Sequence, residues 1–513
     1  MRLRRVAVLG GGPGGLYVAR LLKLANPGGQ VDVYEQGVPG KTFGFGVGLA
    51  AGTQRNLRAA DAPTLDEVLS RGWPHDMSMR VGGQVAQLPN NNLRAIGRAT
   101  LLTVLQQHAA SAGVDLHFGA RASVSDVDAD LIVAADGAGS AARSSCAGDL
   151  GVRIDNSPGL YLWCGTDFAL DSAVFTPVTT VHGTFVTHAY PYAADRSTFL
   201  IETGEQTWRR AGFDATSDTT PFDESDQRSL AYLQEAFRET LRGHALIGNR
   251  TRWLRFRTVR CDRWHRGRLV LLGDAAHTAH YSIGSGTKLA MEDAIALVAA
   301  LGAAVTLEQA LQAYEAERRP AVDHLQAVAA RSQRWWDSFP KRMHLPVDQL
   351  LVSYMTRAGK VSLPRFAEST PHVVQRSLAG YSGTGDVPGG DIVDWVIRQP
   401  LRLDHAVLPD RTSRPGGIIA DIEVTEPDAW GTKADGLADQ AAGQLADGAA
   451  AVRLTGPDDR DAVLDRLDLA ERLRLQLGTV VIVRAPERYR EDLAAGLVSA
   501  RADLIDTEAG GFS

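Results

Sequence analysis

The sequence has few cysteines and no excess of positive charge. Only three of its 513 residues are cysteine, Cys146, Cys164 and Cys261, and they lack the spacing of a metal site. So few cysteines are most simply explained by a reducing cytoplasm. The formal net charge of −6 leaves no overall basic field for nucleic acid. We therefore expect a cytoplasmic protein that does not bind nucleic acid. We also expect no metal site built from cysteines.

The sequence also lacks a long apolar segment. Basic residues followed by RVAVL open the chain, but this apolar run is too short for a signal peptide or a membrane span. We interpret it as a buried strand and expect no membrane association. Glycine, in contrast, is abundant at 52 residues without a repeat, which indicates many close backbone approaches.

A glycine-rich turn follows that first strand. The strand at 5–9 leads into Gly10, Gly11, Gly12, Pro13, Gly14 and Gly15, and then into a helix. In the pattern G-x-G-x-x-G, Gly10 allows the tight turn, Gly12 allows close approach of a pyrophosphate, and Gly15 allows the helix to pack on the strand. The helix N-terminus directs unpaired N–H groups at the phosphates.

An acidic residue completes this first motif. The second strand, at 31–34, ends in Glu35, where a carboxylate can accept a hydrogen bond from a ribose hydroxyl. Strand, turn, helix and acid together predict a dinucleotide site. The motif by itself leaves FAD and NAD open.

Two later segments resemble the fingerprints of a known family. A strand at 129–135 is followed by DGAGSAAR, which begins at Asp136, and a strand at 268–272 is followed by Gly273 and Asp274. Together with the first motif they resemble GxGxxG, DGxxSxxR and GDAAHxxxPxxGxG of the group A FAD-dependent aromatic monooxygenases. The resemblance extends over roughly residues 1–340.

The resemblance implies a set of FAD contacts. Asp274 would hydrogen-bond the ribityl chain, and Asp136 and Arg98 would lie near the FAD phosphates. The loop of Gly284, Ser285 and Gly286 would present the backbone N–H groups of Thr287 and Lys288 to the flavin ring, and the segment 43–47 would line its face. With the loop committed to flavin, we expect no metal at Asp274, His277 and His280.

The chain departs from the common family pattern in an informative way. His280, Tyr281 and Lys288 stand where many members have two prolines and an asparagine. Segments 43–61, 188–203 and 273–294 look most like the salicylyl-CoA 5-hydroxylases and the monooxygenase half of 2-aminobenzoyl-CoA monooxygenase/reductase. They are more distantly similar to the indole-hydroxylating enzymes of violacein biosynthesis.

This resemblance implies a hydroxylase that uses FAD, NADH or NADPH, and O₂. An FAD C4a-hydroperoxide would convert salicylyl-CoA to 2,5-dihydroxybenzoyl-CoA (gentisyl-CoA). Alternative substrates are 2-aminobenzoyl-CoA and an indole or tryptophan-derived metabolite. A second alternative is a flavin-binding redox scaffold without turnover, which would show no NADH oxidation stimulated by an aromatic compound.

Substrate contacts are predicted from residue chemistry and position. His188, Tyr190, His280 and Tyr281 are candidate catalytic residues, because imidazole titrates near neutrality and can bind a phenol. Eight arginines between 250 and 268 suggest contacts to the phosphates of CoA. Each candidate has a structural alternative, namely a core position or a local ion pair. The CoA candidates are Arg255, Arg257, Arg334 and Trp335.

The predicted fold is α/β, with four parts. A Rossmann-like FAD-binding domain of the GR2 type comprises 1–70, 98–155 and 262–335, and a mixed-sheet substrate domain comprises 71–97 and 156–261. A helical linker at 336–398 precedes a truncated β/α remnant at 399–513.

The remnant resembles an Old Yellow Enzyme barrel. Strand-like and helix-like segments alternate from 418 to 505, as in a parallel sheet. A complete barrel needs about 250 residues, so this part is too short to form one. We infer that it binds no FMN and instead covers apolar surface or forms the contact of a homodimer.

Overall fold

The structure is a computed structural model that describes residues 3–40, 42, 44–49, 51–89, 93–217, 219–284, 286–384 and 390–508. It divides into two compact units. Unit 1 comprises Met1–Ser78 and Pro89–Ala330, and unit 2 comprises Met79–Leu88 and Arg331–Ser513. The predicted border at 335/336 lies close to this division, and unit 2 combines the predicted helical linker with the remnant. The finer division of unit 1 stays a prediction.

The strands are Arg5–Leu9 (β1), Gln30–Glu35 (β2), Gly46–Leu49 (β3), Trp73–Pro74 (β4), Met77–Val81 (β5), Gln84–Leu88 (β6), Arg94–Gly97 (β7), Asp115–Phe118 (β8), Leu131–Ala134 (β9), Val152–Asn156 (β10), Leu160–Thr166 (β11), Ala173–Thr180 (β12), Gly183–Ala193 (β13), Arg196–Thr203 (β14), Leu246–Ile247 (β15), Trp253–Leu254 (β16), Arg257–Cys261 (β17), His265–Arg266 (β18), Leu269–Leu271 (β19), Leu401–Leu403 (β20), Ala406–Leu408 (β21), Ile418–Glu423 (β22), Ala449–Thr455 (β23), Val480–Pro486 (β24) and Leu504–Glu508 (β25).

The helices are Pro13–Ala25 (α1), Ala51–Ser70 (α2), Arg98–Ala112 (α3), Ala141–Ser144 (α4), Ala147–Leu150 (α5), Glu205–Arg210 (α6), Asp214–Ser217 (α7), Gln227–Ala236 (α8), Arg238–Leu241 (α9), Gly286–Ala303 (α10), Leu307–Asp337 (α11), Val347–Thr356 (α12), Leu363–Ser369 (α13), Pro371–Ser382 (α14), Ile392–Ile397 (α15), Asp435–Ala446 (α16), Arg460–Leu477 (α17) and Arg490–Val498 (α18). Short 3₁₀ turns at Gly273–Ala275 and Tyr281–Ile283 precede α10.

The first sheet of unit 1 carries the glycine-rich turns. Its strand order is β18-β19-β9-β1-β2-β8, and β1, β2, β8, β9 and β19 run parallel. The continuous apolar runs Val6–Leu9 and Leu131–Ala134 are fully buried. Such runs are typical of parallel strands that are covered on both faces. The Rossmann-like α/β prediction is confirmed.

The second sheet of unit 1 is antiparallel, with the order β15-β11-β14-β13-β12 in this unit and β16 also paired to β11. Alternate side chains point to opposite faces of a strand. Leu160, Leu162 and Cys164 of β11 accordingly belong to a buried cluster with residues from α6, α8 and α9. The intervening Tyr161 and Trp163 lie on the other face.

Unit 2 contains the predicted β/α module. Its four parallel strands have the order β22-β23-β24-β25, and α16, α17 and α18 follow the first three of them. The predicted alternation of strands and helices is therefore confirmed. The antiparallel hairpin β20–β21 packs beside an apolar cluster at the sheet. The descent of this module from a barrel stays a prediction.

Candidate active site

Three loops meet at one edge of the parallel sheet. Strands β1, β9 and β19 are neighbours, and each ends in one of the predicted motifs. Backbone hydrogen bonds hold these ends together: Ala135 N–H donates to Leu9 O at 2.8 Å, and Leu272 N–H donates to Ala134 O at 2.9 Å. The carboxyl ends of parallel strands are where α/β proteins bind ligands.

The glycines of the first loop have different surroundings. Gly10 has a φ of +106°, and a Cβ on Gly15 would lie 2.0 Å from Gly10 O. A Cβ on Gly14 would meet Leu272 at 2.8 Å, whereas a Cβ on Gly12 would meet no atom within 4 Å. The fold itself requires Gly10, Gly14 and Gly15. Gly12, the N-cap residue before Pro13 and α1, faces open space.

Glu35 lies beside this loop and is held by the backbone. Its Oε2 accepts from Gly11 N–H at 2.7 Å, and its Oε1 accepts from Gly37 N–H at 2.6 Å. Because each carboxylate oxygen has two lone pairs, Glu35 can still accept a ribose hydroxyl.

Asp136 and Arg143 stabilise the second loop. Asp136 accepts from Ser140 Oγ at 2.5 Å and from Ala142 N–H at 3.1 Å. The guanidinium of Arg143 donates to Ala138 O at 2.6 Å and to Ala275 O at 2.8 Å. Arg143 thereby joins the second loop to the third, which gives the DGxxSxxR pattern a structural reason.

Asp274 is an exposed residue between buried neighbours. Gly273 and Ala275 are buried, while Asp274 is open to solvent. The surrounding protein nevertheless raises the pKa of Asp274 by desolvation, and the charges of His277 and Arg98 only partly oppose this shift. An accessible carboxylate that is surrounded by protein lines a cleft.

Arg98 lies close enough to Asp274 to interact with its charge, and it has an unpaired hydrogen-bond donor. Its Nε is buried and has no hydrogen-bond partner among the described residues. Burial lowers the pKa of the guanidinium, and Asp274 and Tyr190 act against this shift. An unpaired buried donor is unusual in a protein and suits an anionic ligand such as a phosphate.

The third loop ends at helix α10. Gly284 has a φ of +62°, and a Cβ on Gly284 or Gly286 would meet nothing within 4 Å. Thr287 and Lys288 lie in the first turn of α10, where backbone N–H groups are free of helical partners. Ser285, like Phe43 of the segment 43–47, lies outside the described residues.

His277 belongs to a buried network of charged groups. His277 Nε2 lies 2.8 Å from Asp293 Oδ2, and Asp293 also accepts from Gly273 N–H at 3.0 Å and from Arg318 Nε at 2.8 Å. His280 is buried instead against Ser282, with Nδ1 and Oγ 3.0 Å apart. In the described part of the chain, no group of three or more His, Cys, Asp or Glu side chains could hold a metal ion.

These features fit an extended dinucleotide. The N-termini of α1 and α10 both lie at this edge of the sheet, where their dipoles favour negative charge. Open space at Gly12, the unpaired Nε of Arg98 and the accessible carboxylate of Asp274 supply room, a cation and an acceptor.

One face of the antiparallel sheet carries aromatic and ionisable side chains. Cross-strand pairs place Tyr161 opposite Glu202 and His188 opposite Leu200. Tyr281, from the 3₁₀ turn between Asp274 and α10, lies over this face: its ring is 4.8 Å from that of Tyr161 and 6.5 Å from that of His188. We call this surface the aromatic face; its other members are Trp163 and Phe175.

Glu202 and His188 are in contact on the aromatic face. Glu202 Oε2 lies 3.2 Å from His188 Nε2. Burial alone would raise the pKa of Glu202, but His188, followed by His280 and the hydroxyl of Tyr281, more than compensates and lowers it. Glu202 is therefore an anion at neutral pH.

Tyr190 lies near this face with its hydroxyl engaged. The hydroxyl donates to Gly46 O at 2.8 Å, and burial raises the pKa of Tyr190 to about 12. Its ring stacks on that of His75 at 6.0 Å. This geometry suits a residue that positions the segment 44–49.

The aromatic face includes residues that the sequence interpretation did not identify. Glu202, Tyr161 and Trp163 belong to no motif. The alternation LYLWC on β11 was a usable signal, because it places Tyr161 and Trp163 opposite the core residues. For Glu202 the signal was a single acid in the apolar strand TFLIET.

The predicted CoA arginines have different environments. Arg255 donates to Pro158 O at 2.6 Å and pairs with Glu205 at 2.9 Å. Arg257 is exposed and has no ion-pair partner among the described residues. Arg260 and Arg266 pair with nearby aspartates. Local pairing thus accounts for part of the arginine cluster, and Arg257 is an exposed cation outside that pairing.

The two predicted CoA contacts in unit 2 are engaged locally. Trp335 is 3% exposed, and its indole N–H donates to Ser353 Oγ at 3.0 Å. Arg334 lies 3.5 Å from Asp465. The burial of Trp335 argues against a contact with CoA at this position.

The chain is similar to known flavoenzymes. Residues 95–329 match the family described as FAD binding domain. A salicyloyl-CoA 5-hydroxylase of Streptomyces sp is 36% identical, and the match covers 97% of this chain and 96% of that protein. The chain belongs to the family of FAD-dependent aromatic monooxygenases.

Other relatives agree with this assignment. A 3-hydroxy-4-methyl-anthranilyl-[aryl-carrier protein] 5-monooxygenase of Streptosporangium sibiricum is 39% identical over 70% of this chain and 95% of its own. The tetrameric form of 2-methyl-3-hydroxypyridine-5-carboxylic acid oxygenase shares the fold, with a TM-score of 0.54 at 22% identity over 70% of this chain and 96% of its own.

Membership of the family establishes the class of reaction. This protein is a flavoenzyme that uses FAD, NADH or NADPH, and O₂ to hydroxylate an aromatic ring. Among the residues described by the structure, no helix has the length and apolar character needed to cross a membrane.

Proposed function

We propose that the chain hydroxylates an aryl thioester, with salicylyl-CoA as the first candidate and 2,5-dihydroxybenzoyl-CoA (gentisyl-CoA) as its product. The main support for this proposal is the share of the chain that is covered by the match to one relative. The match to the salicyloyl-CoA 5-hydroxylase covers 97% of the chain, whereas the match to the anthranilyl relative covers 70%. Unit 2 is thus part of the similarity to the CoA-dependent relative.

We further propose how FAD is held. Gly12, Pro13 and the first turn of α1 would receive the pyrophosphate, with Glu35 accepting from the ribose and Arg98 donating to a phosphate. Asp274 would accept from the ribityl chain, and the N–H groups of Thr287 and Lys288 would face the flavin ring. Gly10, Gly14, Gly15, Asp136, Gly284 and Gly286 would shape the loops around it. When bound, FAD supplies the transfer of oxygen to the ring.

The aromatic face would hold the substrate ring beside this site. Tyr281 connects the two regions, since it follows the Asp274 loop and contacts Tyr161. In this proposal His188 and His280 orient the ring hydroxyl and take up its proton, while Tyr190 and Tyr281 limit the access of water. The CoA phosphates would contact Arg257, with Arg255 nearby.

A second candidate substrate is a 2-aminobenzoyl thioester. The relative from Streptosporangium sibiricum is named for an anthranilyl group, which is a 2-aminobenzoyl group, on an aryl carrier protein. An ortho amine and an ortho hydroxyl both donate hydrogen bonds and both activate the ring. The aromatic face as described suits either group.

One assay tests the proposal and its alternatives. The FAD-loaded protein is mixed with NADH and, in turn, salicylyl-CoA, 2-aminobenzoyl-CoA, free salicylate and an indole, and the products are identified by mass spectrometry. We expect NADH oxidation coupled to product with salicylyl-CoA. Stimulation by free salicylate alone would contradict the thioester proposal, and bound flavin without any stimulated oxidation would favour the redox scaffold.

A further inference from the structure

A carboxylate on a surface that binds aromatic rings limits which ligands fit there. Glu202 is 14% exposed and its partner His188 is 11% exposed, so both side chains are largely enclosed yet reach accessible space. Tyr161 lies opposite Glu202 on the neighbouring strand, and the ring of Tyr281 packs against the ring of Tyr161. Few water molecules can screen a charge in such surroundings, so Glu202, together with His188 and His280 that act on it, influences a bound ring strongly.

Trp163 provides a second recognition element. Its indole Nε1 is buried and has no hydrogen-bond partner among the described residues. Trp163 pairs with Leu200 across β11 and β14, two residues from Glu202 on the same face. Diagonal neighbours of this kind lie roughly 7–8 Å apart. The aromatic face therefore offers an anionic acceptor and a neutral donor within the width of one substituted ring.

We propose that Glu202 determines substrate specificity by accepting a hydrogen bond from the ring hydroxyl or amine and by rejecting free aryl carboxylates. A ring with an ortho donor brings its acyl group next to that donor. If the acyl group is a free acid, two carboxylates come together in poorly screened surroundings and repel each other. If it is a thioester or an amide, the group is neutral, and its carbonyl oxygen can accept from Trp163.

The inference deepens the proposed function, since it assumes that an ortho-substituted benzoyl ring binds at the aromatic face. It explains on physical grounds why the protein would act on a thioester rather than on the free acid. It applies equally to a 2-hydroxybenzoyl and a 2-aminobenzoyl group.

The test compares two small ligands that differ in charge. Salicylamide and salicylate carry the same ring hydroxyl, but only salicylate has a carboxylate at neutral pH. Each is titrated into the FAD-loaded protein, and the dissociation constant is taken from the change in flavin absorption. We expect the wild-type protein to bind salicylamide at least about tenfold more tightly.

Variants assign this preference to Glu202. Glu202→Gln should bring the two dissociation constants to within about threefold, mainly by strengthening salicylate binding. Glu202→Asp keeps the charge and should retain the preference, which protects the test if the Gln variant folds poorly. The control Glu235→Gln, at an exposed position on α8, should match the wild type.

The outcomes separate this inference from the proposed function. Equal binding of both ligands by the wild type, a preference unchanged in Glu202→Gln, or no binding of either ligand would overturn the inference. The binding assay needs no turnover. If Glu202→Gln abolishes the preference but salicylyl-CoA gives no product, the thioester hydroxylase proposal fails and the role of Glu202 stands.

Discussion

Asp274 is the residue whose surroundings point most directly to a ligand, because it is accessible while the residues on both sides of it are buried. Asp274→Ala removes a charged acceptor, and a hydrogen bond to a charged group is worth about 1.5–3 kcal/mol. We therefore expect FAD to bind roughly 10- to 100-fold more weakly. The ratio of flavin to protein absorbance after purification measures this. Asp128→Asn, at a fully exposed aspartate, is the control, and full flavin occupancy in Asp274→Ala would contradict its assigned role.

Two glycines of the first loop should respond to alanine in opposite ways. In Gly15→Ala the new Cβ would lie 2.0 Å from Gly10 O, so the strand and helix must move apart. In Gly12→Ala the Cβ enters open space, so the fold is kept and the pyrophosphate loses room. We expect a lower melting temperature for Gly15→Ala, and normal melting but weaker FAD binding for Gly12→Ala. Equal behaviour of the two variants would show that Gly12 is not at the ligand.

The residues that sequence could and could not predict differ in how they are brought together. Asp274, Arg98 and Gly12 belong to patterns or helix starts that are local in the chain. Glu202 meets His188 and Tyr281 only because β13 and β14 pair in one register and a distant turn covers them. A one-residue shift of that register would move Glu202 to the opposite face, and no local pattern specifies it.

At the level of elements, a buried network links the third loop to the helices α10 and α11. Asp293 on α10 contacts His277 in the loop and Arg318 on α11, and Gly273 N–H donates to it. Removing one partner of a buried charged network leaves the others unpaired, at a cost of about 3–5 kcal/mol. We expect Asp293→Asn to lower the free energy of unfolding by about that amount, measured by urea denaturation at neutral pH.

The same network should make stability depend on pH. Burial alone would raise the pKa of Asp293, but His277 and Arg318 lower it below its ordinary value. A lowered folded-state pKa gives stability that is fully present above the unfolded value of about 3.9 and is lost as the pH falls below it. The difference in the free energy of unfolding between the wild type and Asp293→Asn should therefore shrink as the pH falls through about 4. Other titratable groups also face this network, namely Glu292, Asp274 and Tyr314. If the difference in free energy of unfolding stayed constant with pH, the pH dependence of stability would belong to those groups and not to Asp293.

Periodicity predicted the elements of unit 2 well but not the environment of α17. The sequence RDAVLDRLDLAERLRLQL is rich in charged residues, yet Asp465, Arg466 and Glu471 are all buried. Charges tolerate burial when they are paired, and here Arg331 contacts Asp465 while Arg342 contacts Glu471. Those partners lie more than a hundred residues away in the chain. The helical spacing of residues therefore predicts that α17 is a helix, but it does not predict that its charged side chains are buried.

At the scale of the whole molecule, unit 2 is assembled from two distant stretches of chain. Met79–Leu88 comes from the first part of the sequence and groups with Arg331–Ser513. Gln84 Oε1 accepts from Val347 N–H at 3.2 Å, which joins the two stretches at the start of α12. The sequence interpretation assigned 71–97 to the substrate domain together with 156–261, whereas the grouping of Met79–Leu88 with Arg331–Ser513 depends on contacts between residues far apart in sequence.

The interleaving predicts how a truncated chain behaves. A chain that ends at residue 330 keeps Met79, Val81 and Leu88 but loses the rest of their unit. Burying such side chains is worth about 1.5–3 kcal/mol each, so exposing even one or two of them costs a sizeable part of the net stability of about 5–15 kcal/mol of a typical domain. We expect this chain to be recovered mostly as aggregate, with little FAD, whereas the full protein elutes as a defined species in size-exclusion chromatography. A soluble, monodisperse and yellow 1–330 chain would show that the parallel sheet and the aromatic face fold without unit 2.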